Sequence, residues 1–164
     1  MMSKWLRAAL AGWTGGFLGN ALLGVLFSSP WIGSILYDPN WQSPLFIEIT
    51  PKRNIAVSVF GLILLSGLHG ILFEQLAPSI PGRFWFSKGL MFGCGLWATY
   101  WLFQEWFIYV TLLNEPIPLA LIELAILLSG SLVQGVAIAW LLIGRGKVVV
   151  GTPELTRQLS SGAD

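Results

Sequence analysis

The chain has 164 residues, 55% hydrophobic and only 10% charged, with nine Lys and Arg against eight Asp and Glu for a net charge of +1. A soluble domain carries about 25% charged residues, so this count, with a mean hydropathy of +0.73, excludes a water-soluble globule and predicts an integral membrane protein. The near-neutral balance excludes a basic nucleic-acid binder, the single cysteine, Cys94, excludes an intrachain disulfide, and the single histidine, His69, excludes a multi-histidine metal site or a haem held by two histidines of one chain.

About 20 apolar residues cross a bilayer core. Runs of that kind lie over residues 6–27, 54–76, 86–112 and 118–143, separated by polar or Pro-rich breaks. Backbone groups in lipid must be satisfied within their own segment, and nothing here alternates as barrel strands do, so each run is read as a helix. The expected fold class is therefore all-α: a polytopic four-helix transmembrane bundle over residues 1–143.

In the first helix Ala8, Gly12, Gly16, Asn20 and Gly24 recur every four residues and form a small-residue stripe, the feature that lets membrane helices approach closely. This run is too long and glycine-rich for a secretory signal and lacks a small-x-small cleavage site. The connection 28–53 contains Pro30, Pro39, Pro44 and Pro51 with Trp31, Tyr37 and Trp41, a pattern that argues against continuous helix and for a surface-lying segment at the headgroups. Its Leu45 to Ile49 stretch is apolar apart from Glu48 and suits contact with lipid or a partner.

The second helix brings Ser58, Ser66, Gly70 and His69, with Glu74 near its end at the depth of Lys88 across the turn, so that Glu74 and Lys88 are expected to pair. The third carries Gly89 and Gly93 as packing positions and is crowded with aromatics, of which Trp97 and Trp101 lie one turn apart near mid-span, away from an interfacial belt. That wall suits a flat hydrophobic ligand such as a quinone, a pigment or a lipophilic cation. The fourth adds Ser131 and Gly135 for packing. The tail 144–164 is too short for a core of its own and is expected to be disordered; Thr152 and Pro153 read as the start of one short helix there, and the alternative for Lys147 to Val150 is a strand that pairs with another chain's sheet edge.

Lys4, Arg7, Arg83, Lys88, Arg145, Lys147 and Arg157 fall on one side of a four-span protein, against Lys52 and Arg53 on the other. This asymmetry places both termini in the cytoplasm, with a bacterial inner membrane as the expected location. Ionisable groups within a span are costly and invite a functional reading. Glu105 and Glu123 sit near the outer ends of two antiparallel helices joined by a tight turn, hence at one depth, with Asn20 at a similar level. At 100° per residue Glu105 falls near Trp101, Cys94 and Gln104, and Glu123 near Gly130, Gln134 and Ala137. Such a carboxyl pair can share a proton, bind a cation or accept hydrogen bonds from a ligand. His69, Cys94 and Gln134 make a second layer, in which His69 is the candidate axial ligand of a pigment or haem; one His and one Cys fall short of a zinc site, so no metal is expected.

No nucleophile elbow, zinc-protease run or phosphate loop occurs, so no catalytic residue is assigned. The favoured reading is a non-catalytic accessory or structural subunit of a larger membrane complex, in contact with lipid, quinone or pigment and with other integral subunits or copies of itself. The alternative is a small oligomeric proton-coupled transporter or cation channel that uses Glu105 and Glu123.

Overall fold

A computed structural model describes residues 3–43 and 54–144. Among these the chain is all-helical: α1 Lys4–Phe27, α2 Pro30–Leu36, α3 Ile55–Leu76, α4 Trp85–Leu96 and α5 Ile117–Ile143. After Leu96 the helix continues with π-type turns over Trp97–Trp101 and Gln104–Leu112. Among the described residues three helices, Lys4–Phe27, Ile55–Leu76 and Ile117–Ile143, are long and apolar enough to cross a membrane. The Leu45 to Ile49 stretch and the tail from residue 145, with Lys147 to Val150 and Thr152, lie outside the described residues.

Local chemistry sets the ends. The Ser3 hydroxyl accepts the Leu6 N–H at 3.2 Å and starts α1 two residues before the apolar run, and the Asn54 side chain accepts the Val57 N–H at 3.2 Å to start α3. The prolines of the first connection do not forbid helix there. Pro30 occupies the first position of α2, where its missing N–H has no partner to lose. This short helix buries Ile32 and Leu36 against Leu119 and Ile126, so the connection begins folded back onto the bundle.

α1 and α5 form the centre, with α3 packed on α1 and α4 on α5. Apolar burial gives little drive between helices in lipid, so contact depends on small residues. A Cβ on Gly12 or Gly16 would collide with Ser66, and one on Gly70 with the Ala8 carbonyl. One on Gly89 would lie 2.7 Å from the Val136 Cα, one on Gly93 2.6 Å from the Ser131 carbonyl, and one on Gly135 would strike the Gly89 carbonyl. Gly24 departs from its expected packing role: a Cβ there meets nothing within 4 Å. It lines a cavity instead.

One further expectation changes. Glu74 pairs with Lys4 at 3.4 Å and Arg7 at 3.8 Å, not with Lys88. Lys88 is buried and its ammonium donates to the Ala77 carbonyl at the end of α3, where the helix dipole favours a cation. Near this Lys4 end, Phe73 of α3 and Phe92 of α4 meet edge to face with ring centroids 5.1 Å apart. With Ile138 and Ala139 of α5 they form an apolar plug. Toward the opposite end, marked by Glu115, α3 and the π-type segments separate and leave a cleft over α1 and α5.

Candidate functional site: an acid-lined cleft

The cleft begins with a backbone irregularity. A π-type turn closes i→i+5 hydrogen bonds and holds more residues than an α turn, and such turns recur at functional sites. After Leu96, therefore, the 100° wheel loses register. Cys94 points to the exterior, contrary to its expected place beside Glu105 and in the His69 layer. Tyr100, Trp101, Gln104, Glu105 and Tyr109 all line one cavity of about 640 Å³, joined there by Asn20 of α1, Tyr37 after α2 and Glu123 of α5. Trp97 is not part of that wall. Its indole N–H donates to the Leu124 carbonyl at 2.9 Å and ties the π-type segment to α5.

Glu105 is the centre of the arrangement. It is only 2% exposed, the sole buried residue of Gln104–Leu112, and its Oε2 has no hydrogen-bond partner. Glu123 faces it from α5, as their common depth predicts. A third carboxylate was missed. Asn114 adopts a left-handed φ of 55°, which asparagine tolerates better than most residues, and the turn carries Glu115 back so that its N–H donates to the Tyr109 carbonyl at 2.9 Å. Glu105, Glu115 and Glu123 each bring an oxygen within 4.8 Å of the others. Ser43 fastens this turn by donating to the Leu113 carbonyl at 2.6 Å. The signal was in the sequence: Glu115 lies in the same short turn whose geometry aligns the other two.

Asn20, Tyr100 and Trp101 also line a second chamber of about 170 Å³, which adds Ser66, His69, Ser131 and Gln134 and lies deeper. His69 Nδ1 and Gln134 Nε2 are 3.0 Å apart, so both members of the expected inner layer except Cys94 do meet. The chamber is smaller than the ~300–1,000 Å³ of ordinary ligand sites. One turn further, the Phe73–Phe92 plug begins. The polar groups thus run from Glu115 to His69 and stop.

Burial, and after it the neighbouring Glu123 charge, push the Glu115 carboxyl up from 4.5 to about 7. Glu123, Glu105 and Tyr109 surround it. Between these two values the folded chain holds a proton that the unfolded chain has released, so stability falls as pH rises through that window. Thermal melts in detergent should show a declining transition temperature from about pH 5 to pH 7, and Glu115→Gln should flatten the decline. An unchanged slope in that variant would assign the effect to another group.

The chain matches no protein-family model, no curated protein and no solved structure.

Proposed function

We propose that this chain is a four-span membrane protein with both termini in the cytoplasm, and that it exchanges protons for a cation at Glu105 and Glu123 in a cleft open to the outer side. One observation carries the reading: the Glu105 carboxyl is buried, leaves Oε2 without a hydrogen-bond partner and belongs to the wall of a cavity of about 640 Å³. A buried acceptor without a partner costs about 1–3 kcal/mol, a cost that a bound cation or proton removes. A purely structural carboxyl would be expected to use that oxygen in a hydrogen bond between helices.

The Phe73–Phe92 plug closes the cleft toward the Lys4 end, which argues for a carrier and against an open channel. Exposure of the cleft to the cytoplasm would require α3 to move against α4, and the two touch mainly at that plug. Transporters commonly place such carboxylates within the membrane. The test is proton release: cations added to weakly buffered protein in detergent near neutral pH should release protons, and Glu105→Gln with Glu123→Gln should abolish the release. Absence of release with sodium, manganese and organic ammonium probes alike would overturn the reading.

The accessory-subunit reading has its own support in the outward face of α3, where Ile55, Val57, Phe60 and Ile63 are exposed. Such a face takes lipid or a neighbouring helix. Purification from native membranes in mild detergent distinguishes the two, because a subunit brings its assembly and a carrier comes alone or as copies of itself.

A further inference from the structure

We infer that the cleft receives an aromatic organic cation, an ammonium or phosphonium with apolar substituents, with its charge toward Glu105 and Glu123. This rests on the proposed cation exchange and names its substrate class. The cavity of about 640 Å³ is far larger than a bare ion needs, since a water molecule occupies about 30 Å³ in the liquid. It lies instead within the ~300–1,000 Å³ range of sites for small organic molecules.

The lining has two characters. Glu105, Glu123, Asn20 and Gln104 supply polar groups, and Phe27, Tyr37, Tyr100 and Trp101 supply rings. Ring faces attract cations, and Trp and Tyr do so best when the cation is stripped of water, which is how aromatic sites recognise substituted ammonium groups. A hard metal ion makes a different demand, six or more oxygen ligands with waters among them, and gains nothing from the rings. Three carboxylates cluster here, with the Asn20 and Gln104 amides beside them, and rings and methylenes supply the apolar part of the wall.

Tyr100, which lines both chambers, is 49% exposed, so the aromatic wall of the cleft extends to the surface that lipid covers in a bilayer. On entry one positive charge replaces one proton at Glu105 and Glu123, and the net charge of the buried site is unchanged.

The experiment uses the full chain in mild detergent with tetraphenylphosphonium as the cationic probe, triphenylphosphine oxide as its uncharged aromatic counterpart and Mn²⁺ as the bare ion. Equilibrium dialysis and proton release are read together. Tetraphenylphosphonium should bind saturably, release protons and weaken as pH falls, and the phosphine oxide should bind at least tenfold more weakly. Glu123→Gln should abolish proton release, and Trp101→Leu or Tyr100→Leu should lower affinity about 3- to 30-fold. Tyr100 is half exposed to the exterior, so its variant keeps a folded control available. Binding and proton release with Mn²⁺ but not with tetraphenylphosphonium would overturn the substrate class and leave cation exchange standing. Equal binding of the phosphonium and the phosphine oxide would overturn it too, because the site would then read only apolar surface. No proton release with any probe would overturn both.

Discussion

Gly70→Leu should separate α3 from α1 and lower the thermal transition sharply, by more than the 1–3 kcal/mol typical of an overpacked core. The reason is what the new side chain meets. A Cβ at position 70 runs into the Ala8 carbonyl and lies 2.6 Å from the Gly12 nitrogen and 2.8 Å from its Cα. These are backbone atoms of a helix and cannot rotate aside. Two hydrogen bonds accompany that seam: Trp13 donates to the Ile63 carbonyl at 2.8 Å, and His69 reaches Gln134 at 3.0 Å. Both depend on the close approach at Gly12 and Gly70. In lipid no apolar burial compensates for a widened gap. Gly24→Leu is the matched control, because it adds the same side chain to a glycine with open space around it. Differential scanning fluorimetry in detergent reads the difference, and equal melting temperatures for the two variants would refute the packing account.

That comparison also shows where the sequence was informative. The small-residue stripes were legible because close helix approach in lipid demands them, and Gly12, Gly16, Gly89, Gly93 and Gly135 all sit at such approaches. Gly24 continues the same four-residue spacing but lies where α1 passes the cavity, and no periodicity distinguishes a packing glycine from a cavity-lining one. The shared depth of Glu105 and Glu123 was legible from the tight turn that joins their helices. Their neighbours were not, since π-type turns beyond Leu96 changed which residues share a face with Glu105, while Cys94, in the regular helix before those turns, faces outward. α2 escaped notice because its proline stands at the one helical position that tolerates it. Glu74 reached back to Lys4 and Arg7 because α1 and α3 lie side by side, a fact of tertiary packing that depth counting cannot see.

Glu105→Met should make the protein more stable while removing proton exchange. Methionine nearly matches the length of glutamate and brings no group that needs a hydrogen bond. Position 105 is 2% exposed, and its carboxyl leaves Oε2 unsatisfied beside Glu115 and Glu123. Removal of an orphaned buried acceptor should return about 1–3 kcal/mol, and replacement of a buried ionisable group by a well-packed apolar one is often stabilising. Relief of the three-carboxylate crowding adds in the same direction. A structural carboxyl makes the opposite prediction, because its loss would unpair a partner on another helix and lower the melting temperature. The two readouts must therefore diverge: a higher transition temperature in detergent, and no proton release on addition of a cation. A variant that melts earlier would place Glu105 among the groups that hold the bundle together. One that melts later but still releases protons would move the exchange site to Glu115 and Glu123 alone. Divergence of stability and exchange is the signature of a site kept short of its best packing so that a ligand can complete it.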